Sequence, residues 1–312
     1  MARTPPFPDT GAEPRLTLRH RIDDAVTAVI IRLFRLLPYE RRVPAMGWFW
    51  RAILGPIILN RRVRDNLHHV FPDMPRREVN AICHAVADNF GRVFIELHSA
   101  DEFARRAAQL PVGGPGLPVL EAARDQGRPV VLASAHFGNY DAWRAALKAR
   151  GFDIGALYMP MTNPAANRRY LEKLSSIGGP LFPRGPAGMA DMVRFLRGGG
   201  MLLLLGDHFI KGGELVEFLG KPAWTATSAA KLALKYNALL LPLYATRNPD
   251  GLTFTIEIED PIPHTDALTM TRALNDSASA RVMGHMGQWF WLHRRWKRAP
   301  DEASGDSLAD ES

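Results

Sequence analysis

Cysteine is nearly absent from this sequence, since Cys83 is the only one in 312 residues. A lone thiol excludes a disulfide framework and any zinc or iron–sulfur site built from several cysteines. The G-x-S-x-G nucleophile elbow, the Walker A loop and the G-x-G-x-x-G fingerprint are absent as well. The sequence therefore offers no serine nucleophile of the α/β-hydrolase kind and neither of the two common nucleotide-binding loops.

Long uncharged apolar runs are missing too. Residues 25–37 contain two arginines, and residues 43–59 are interrupted by one arginine and two prolines. A membrane-spanning helix requires about 20 consecutive, mostly apolar residues, so neither run meets that requirement. Polar residues precede the first run and no small-residue cleavage site follows it, so we expect no cleaved signal peptide.

Charge is abundant and unbalanced. Lysine and arginine number 39 against 32 acidic residues, for a formal net charge of +7, although residues 300–312 contain acids and no base. A basic body predicts an anionic partner, such as a membrane surface, a phosphorylated substrate or nucleic acid. We expect no nucleic acid, because no recognition motif accompanies the charge. Residues 299–312 are predicted to be a disordered acidic tail.

Residues 1–60 are predicted to form membrane-associating helices. Arg32 and Arg35 lie three residues apart and share one helix face. The opposite, apolar stripe comprises Ile22, Val26, Val29, Ile30 and Leu33. Residues 1–80 contain 14 arginines, no lysine and eight acids, which suits an anionic leaflet.

The aromatic residues Trp48, Phe49 and Trp50 favour the same interpretation, because such side chains prefer headgroup depth in a membrane. Two alternatives stay open. The helices of this region pack on the core as ordinary amphipathic helices, or one of them crosses the membrane at a tilt with its arginines reaching the surface.

After a breaker-rich segment at residues 111–118, short apolar runs alternate with helical patterns. Strands are predicted at residues 130–133, 154–158, 181–182, 201–205, 239–246 and 252–257, and helices include residues 73–108 and 225–236. This alternation predicts an α/β fold with a mainly parallel central sheet covered by helices. We assign residues 61–298 to this domain, with the N-terminal helices packed outside it.

His136 and Asp141 follow the predicted strand 130–133 at an H-x4-D spacing. The spacing alone carries no information, because His68 and Asp73 share it between two helices. Ligands of open α/β sheets bind beyond the carboxyl ends of the strands, which favours the pair at His136. We expect Asp141 to turn back and accept one imidazole N–H, so that the other ring nitrogen acts as a base.

The residues between this pair fit the same site. Gly138 permits a close approach of the backbone to a ligand, and Asn139 is a natural N-cap for the following helix. Free N–H groups at the start of that helix favour an oxyanion. The alternative is a histidine and a capping aspartate with structural roles alone.

Three further candidates follow other predicted strands and face the same sheet edge. Arg184 carries a guanidinium that suits phosphate or carboxylate, although a surface arginine in a proline–glycine loop gives the same pattern. Asp207 and His208 follow the apolar strand 201–205. Asp207 is either a site residue or a loop cap.

Residues 136–141 (HFGNYD) at a strand–helix junction resemble the H-x4-D/E glycerolipid-type acyltransferase superfamily. The chain is more similar to one branch, the lipid A biosynthesis late acyltransferases, which are the lauroyl/myristoyl transferases. The resemblance covers nearly the whole chain. It includes residues 62–75 (RVRDNLHHVFPDMP), 89–96 (NFGRVFIE) and 289–297 (WFWLHRRWK).

The resemblance implies an O-acyltransferase that moves a fatty acyl chain from an acyl carrier protein thioester to a hydroxyl of a lipid A precursor. It implies a location at the cytoplasmic face of the inner membrane and no resident cofactor. The implied partners are acyl carrier protein, the lipid acceptor and the anionic membrane surface. His136 stands where the family has its general base, and Asp141 where it has the orienting acid.

The resemblance also implies roles for the other candidates. Arg184 occupies the place of a substrate- or oxyanion-binding arginine, and Asp207 matches an acidic position near the active site. Family members often carry Gln where this chain has His208, which leaves the acceptor open. Headgroup or carrier contacts are expected from Arg168, Arg169, Lys211, His293 and Arg294.

No metal is expected at His136, Asp207 and His208, because acyl transfer from a thioester needs none. Two functional alternatives stay open. In one, the acceptor is a smaller lyso-lipid, such as a lyso-aminolipid or a lysophospholipid. In the other, the protein is a membrane-bound binding protein without catalytic activity.

Overall fold

The computed structural model describes residues 18–161 and 164–297, with the side chains of residues 25–161 and 167–297. The predicted acidic tail at residues 299–312 and the side chain of Ile22 lie outside this part of the chain. Helices come first, and from residue 112 onward strands and helices alternate.

The helices are α1 (Leu18–Arg35), α2 (Tyr39–Phe49), α3 (Gly55–Ile58), α4 (Asn60–Val70), α5 (Arg76–Leu97), α6 (Ala100–Ala107), α7 (Leu117–Asp125), α8 (Tyr140–Ala149), α9 (Pro164–Ile177), α10 (Pro186–Arg197), α11 (Ser228–Tyr236) and α12 (Ala267–Gly284). A π-helical turn at Trp50–Leu54 joins α2 to α3, and a 3₁₀ turn at Met286–Gln288 follows α12. The strands are β1 (Val112–Gly113), β2 (Val130–Ser134), β3 (Ile154–Tyr158), β4 (Leu181–Pro183), β5 (Met201–Leu205), β6 (Glu214–Phe218), β7 (Lys221–Thr225), β8 (Leu239–Arg247) and β9 (Phe254–Ile258).

In the described residues, seven strands form one sheet in the order β1-β9-β8-β2-β5-β3-β4, and β6 pairs with β7 in a hairpin. Neighbouring strands of the large sheet are parallel, apart from the antiparallel pair β8 and β9. The predicted α/β fold with a mainly parallel sheet is therefore confirmed. At its centre β2 lies between β8 and β5, with Val130 opposite both Leu239 and Met201.

The central strand β2 is apolar on both faces because the sheet is covered on both sides. Val130 and Leu132 pack into a cluster with Trp143 of α8. Val131 and Ala133 point the other way and pack into a second cluster. Every residue of β2 is buried, so the residues that follow its carboxyl end start from a fixed position.

The hairpin β6–β7 has no clear signal in the sequence. Its two-residue turn is Leu219-Gly220, with φ of 51° and 74°. Leucine is unusual there, because such turns normally carry Asn, Asp or Gly. The second strand ends at Thr225, so the helix predicted over residues 225–236 begins only at Ser228.

The long helix predicted over residues 73–108 is broken into α5 and α6. The break lies at Ser99, whose backbone is not helical (φ −123°, ψ 35°). The Ser99 hydroxyl accepts a 2.9 Å hydrogen bond from Arg42 of α2, and Arg42 also pairs with Glu102 at 3.1 Å. The break therefore coincides with a contact to α2, which is distant in sequence. Local helix propensity does not reveal such a contact.

The N-terminal helix α2 packs against α5 and shares its core with the sheet. Tyr39, Val43 and Met46 are buried in the same cluster as Val130 and Leu132. In the part of the chain that the structure describes, no helix has the length and apolar character needed to cross a bilayer.

Helix α1 leaves a line of apolar side chains in solvent. Val26, Val29 and Leu33 of α1, together with Leu36 directly after it, are 53–81% exposed and recur every three or four residues, and we call these four residues the α1 stripe. Ile30, which the sequence places in the apolar stripe, instead packs against the core.

The three consecutive aromatic residues are not equivalent. Trp48 is 60% exposed. The rings of Phe49 and Phe34 lie 5.6 Å apart, and those of Trp50 and Phe90 lie 4.5 Å apart. Trp48 is therefore the one of these three whose side chain is mostly exposed, whereas Phe49 and Trp50 pack within the protein.

Candidate active site

His136 lies two residues beyond β2, at the carboxyl edge of the sheet. Two backbone hydrogen bonds hold its loop. The N–H of Gly138 donates to the carbonyl of Gln288, and the N–H of Phe290 donates to the carbonyl of His136, both at 2.9 Å. The loop is thus fastened to residues 289–297 and the turn before them, and we call residues 289–297 the closing segment.

Asp207 faces His136 across the junction of β2 and β5. Ser134 pairs with Leu205 in the register of these strands, so the residues two positions further along lie at the same level. Asp207 Oδ1 lies 2.8 Å from His136 Nδ1, and Oδ2 accepts the backbone N–H of His136 at 2.9 Å. Oδ2 also accepts the indole N–H of Trp289 at 2.8 Å. Three donors therefore fix this carboxylate.

The contact with Asp207 sets the tautomer of the His136 ring. A carboxylate accepts hydrogen bonds, so Nδ1 carries the hydrogen and Nε2 keeps its lone pair. Burial alone would raise the pKa of Asp207, but His136, His293 and His208 hold it well below its ordinary value. The side chain of Asp207 is 2% exposed and that of His136 is 20% exposed. A buried carboxylate therefore lies behind an imidazole that is partly open to solvent, an arrangement suited to general-base catalysis.

Asp141 does not play the expected part. In the described residues its carboxylate makes no hydrogen bond to His136 and instead accepts one from Arg144 Nη1 at 2.6 Å. Both side chains are buried. Asp141 lies in the first turn of α8 and Arg144 three residues on, so the two share a helix face. The expected contact between Asp141 and the His136 ring is therefore not formed, and the H-x4-D spacing does not identify the carboxylate that contacts this ring.

Asn139 caps α8, as the sequence predicts, since its Oδ1 accepts the N–H of Asp141 at 3.0 Å. Its Nδ2 donates to Glu96 Oε2 at 2.8 Å. Glu96 is fully buried, and its carboxylate accepts a hydrogen bond from each terminal nitrogen of Arg247, at 2.6 and 2.7 Å. Both ends of the Asn139 amide are thus engaged within the protein, and the side chain is buried, so it supports the loop.

Gly138 is required by the protein's own backbone. Its φ is 57°, and a Cβ at this position would lie 1.9 Å from the carbonyl oxygen of Ala245. The expected close approach is therefore to β8, not to a ligand. Two N–H groups at the start of α8 are also used, because those of Asp141 and Ala142 bond to the side chain and the carbonyl of Asn139.

His208 and His293 lie beside the His136 imidazole. The ring centroids of both lie 4.6 Å from that of His136, and they lie 3.9 Å from each other. Burial, together with repulsion from His136, lowers the pKa of His208. Burial also lowers the pKa of His293, to about 3. Both rings are therefore neutral at pH 7.

Arg184 approaches the site from the edge strand β4. It is exposed, and its guanidinium makes no hydrogen bond or ion pair with the described residues. Burial is the main cause of the low pKa of His208, but the charge of Arg184 contributes to it. Arg184 is therefore near the histidines, with its guanidinium available to an anion.

The weaker basic candidates separate into two groups. His293 lies in the site, whereas Arg168, Arg169, Lys211 and Arg294 are exposed. No described contact joins Arg168, Lys211 or Arg294 to His136. His68, of the second H-x4-D pair, is exposed on α4, in keeping with its lack of a cleft.

The closing segment supplies two residues that motif spacing does not identify. Trp289 binds Asp207, and Arg295 is fully buried. Arg295 donates to the carbonyls of Trp224 (2.7 Å) and His208 (3.3 Å) and to the hydroxyl of Thr225 (2.6 Å). Arg295 is therefore a core residue, unlike the exposed Arg294 beside it. The four aromatic residues of the closing segment were the available signal, because such side chains are commonly core.

The fold and the site together define a class of protein. A histidine base, oriented by a buried carboxylate at the carboxyl edge of a parallel sheet, is suited to activating a hydroxyl. The model of the family described as bacterial lipid A biosynthesis acyltransferase matches residues 11–298. The chain belongs to this family and is an O-acyltransferase, as its sequence predicts.

Curated relatives from three organisms are also named as acyltransferases. The chain is 26% identical to a lipid A biosynthesis acyltransferase of Haemophilus influenzae, over 77% of this chain and 78% of the relative. It is 24% identical to the lipid A biosynthesis lauroyltransferase of Escherichia coli, over 77% and 79%. It is 25% identical to the phosphatidylinositol mannoside acyltransferase of Mycolicibacterium smegmatis, over 90% and 94%.

Proposed function

We propose that this protein transfers a fatty acyl chain from an acyl carrier protein thioester to a hydroxyl of a lipid A precursor. The observation that carries the proposal is the 2.8 Å contact between His136 Nδ1 and Asp207 Oδ1, which leaves Nε2 as the ring base. Membership of an acyltransferase family supports acyl transfer as the chemistry.

In the proposed step, His136 Nε2 takes the proton of the acceptor hydroxyl while that oxygen attacks the thioester carbonyl. The buried charge of Asp207 stabilises the imidazolium that forms. The tetrahedral species then collapses, the carbon–sulfur bond breaks, and the leaving thiolate receives the proton from His136. The acyl group passes directly from donor to acceptor, without an acyl-enzyme intermediate.

We assign the developing oxyanion to Arg184, because the N–H groups of Asp141 and Ala142 already have acceptors. Arg184→Lys should then lower kcat with little change in KM, since the interaction exists only in the transition state. If Arg184 instead holds a phosphate of the acceptor, the variant will chiefly raise the acceptor KM. Kinetics at saturating donor and varied acceptor separate the two, and unchanged kcat and KM would remove Arg184 from the site.

The acceptor is the least constrained part of the proposal. We favour a lipid A precursor because the matching family is described by that pathway. A smaller lyso-lipid is the second choice. The relative from Mycolicibacterium smegmatis is named for a phosphatidylinositol mannoside, which is a specific reason to include a glycolipid outside the lipid A class in any acceptor screen.

The test measures thiol release from acyl carrier protein thioester by the purified full chain, with a lipid A precursor, a lysophospholipid, a phosphatidylinositol mannoside or no acceptor. We expect release with the lipid A precursor alone. His136→Ala should lower turnover about 10²–10⁴-fold, whereas His68→Ala, the matched control, should keep the parental rate. Near-normal turnover in folded His136→Ala would contradict the mechanism, and release with another acceptor alone would contradict the proposed acceptor.

We also propose that the protein acts at the cytoplasmic face of the inner membrane, in contact with anionic lipid. The α1 stripe is apolar and exposed, and Arg32 and Arg35 of the same helix are exposed as well. An exposed apolar stripe accompanied by arginines suits a helix that lies in the interface of an anionic leaflet.

The membrane proposal is tested by flotation with vesicles that contain an anionic phospholipid. The double variant Leu33→Glu/Leu36→Glu should bind at least about 10-fold more weakly, because each leucine loses its apolar burial in lipid. Leu215→Glu is the matched control, since Leu215 is 55% exposed on β6. Equal binding by the double variant and the control would move the membrane contact away from α1.

A further inference from the structure

Three histidines converge at the candidate site. One ring nitrogen from each of His136, His208 and His293 lies within 4.8 Å of the other two. His293 Nε2 is buried and has no hydrogen-bond partner in the described residues. Buried polar atoms are normally paired, so an unpaired nitrogen beside two other imidazoles indicates that the cluster binds something.

We propose that His136, His208 and His293 bind Zn²⁺, and that the ion blocks acyl transfer by occupying the nitrogen that serves as the base. The ion is an inhibitor here, not a cofactor of the reaction. The proposed inhibition rests on the proposed function, whereas the proposed binding of Zn²⁺ does not depend on it.

The donor set fits this ion. Three imidazoles with a fourth position open is an established zinc arrangement, and imidazole favours zinc over magnesium. Asp207 holds the Nδ1–H of His136 at 2.8 Å, so Nε2 is the nitrogen left for the ion. A carboxylate behind a ligating imidazole is the usual outer support of a zinc site.

Distance and charge set the expected affinity. Tetrahedral zinc places its ligand nitrogens about 3.3 Å apart, so the rings need to close by no more than about 1.5 Å. His208 is the most exposed of the three histidines. The cations Arg295 and Arg184 oppose the ion, whereas the buried charge of Asp207 attracts it. We therefore expect micromolar binding, weaker than that of a dedicated structural zinc site.

Binding is measured by calorimetric titration of the full chain, without a histidine tag. Zn²⁺ should give one site per chain, and Mg²⁺ should give none. His208→Gln and His293→Gln should each weaken Zn²⁺ binding at least about 50-fold, since each removes a ligand. His84→Gln removes an exposed histidine of α5 and should bind Zn²⁺ as the parent does. Absence of saturable binding, or binding that survives both cluster substitutions, would overturn the site.

Inhibition is measured separately, by thiol release at increasing Zn²⁺. Activity of the parent chain should fall in step with occupancy and return with a chelator. Whatever activity His208→Gln retains should be insensitive at the same Zn²⁺ concentrations. Zinc binding without inhibition would overturn the blocking role. Absence of acyl transfer in zinc-free protein would contradict the proposed function and leave the binding result standing.

Discussion

Two buried carboxylates lie close in the fold to the His136 loop, and they are held in different ways. Asp141 is paired with a full cation, Arg144, at 2.6 Å on the same helix. Asp207 is held by three N–H donors, two from His136 and one from Trp289. In the described residues no arginine or lysine forms an ion pair with Asp207.

If the proposed mechanism holds, this difference distinguishes a carboxylate that supports the fold from one that takes part in the chemistry. The charge of Asp141 is compensated where it stands, and removing either partner would leave the other buried alone. In the described residues Asp207 forms no ion pair with an arginine or lysine, and in the proposed mechanism its charge stabilises the imidazolium that forms when His136 takes a proton. The type of partner is therefore more informative about function than the distance from the histidine along the chain.

The largest expected effect comes from Asp207→Asn. Two N–H groups point at Oδ2, so the oxygen of the amide will stay there and its NH₂ will face His136 Nδ1. This forces the ring hydrogen onto Nε2 and removes the base, so kcat should fall about 10³-fold or more. Asp141→Asn, measured in the same thiol-release assay, should stay within about threefold of the parent. Equal decreases in kcat for Asp207→Asn and Asp141→Asn would contradict the different roles that we give to the two carboxylates.

Asp141→Asn should instead lower the free energy of unfolding. Arg144 would lose its partner while buried, which costs about 3–5 kcal/mol. Chemical denaturation measures this loss directly. The double variant Asp141→Asn/Arg144→Met should recover part of it, because it removes the unpaired charge. Full stability in the single variant would show that the ion pair is not structural.

Trp289→Phe tests the third donor to Asp207 with a smaller change. The ring is kept and one hydrogen bond to a charged group is lost, so kcat should fall about 10-fold. Trp291→Phe is the matched control, because its indole N–H bonds to the carbonyl of Met286 at the same 2.8 Å. If both substitutions lower kcat alike, packing of the closing segment matters and the bond to Asp207 does not.

Asn139→Ala should have the smallest effect, and it tests how far the cap of α8, next to Asp141, supports the His136 loop. It removes the cap of α8 and should destabilise the fold by about 1–2 kcal/mol in denaturant unfolding. Asp266→Ala removes the comparable cap of α12 and should cost a similar amount. A decrease in kcat of a few fold is expected for Asn139→Ala alone, since its backbone belongs to the His136 loop. The same decrease for Asp266→Ala would make the effect one of general stability.

The strands of the sheet centre are readable from the sequence because they are compact apolar runs. The bounds of β3 and β5 agree with the prediction, and β2 is longer by a single residue. Their order is not readable in this way. β5 lies beside β2 although β3 and β4 come between them in the chain, and this order is what brings Asp207 to His136.

The hydrogen-bond donors of the closing segment could not be predicted from the sequence either. Trp289 reaches Asp207 through an isolated antiparallel bridge between Phe137 and Trp289, which no local pattern encodes. The cap at Asn139 was predictable because it depends on residues two apart. Contacts set by neighbours along the chain were therefore accessible from the sequence, and those set by strand order or by the return of the chain were not.

The closing segment also has a consequence for biosynthesis. Ribosomes deliver the chain from its N-terminus, so every strand of the sheet is synthesised before Trp289 and Phe290. His136 and Asp207 therefore emerge well before the donors that hold them. A nascent or prematurely terminated chain that stops after α12 therefore lacks the indole N–H that binds Asp207 and the backbone N–H that binds the carbonyl of His136.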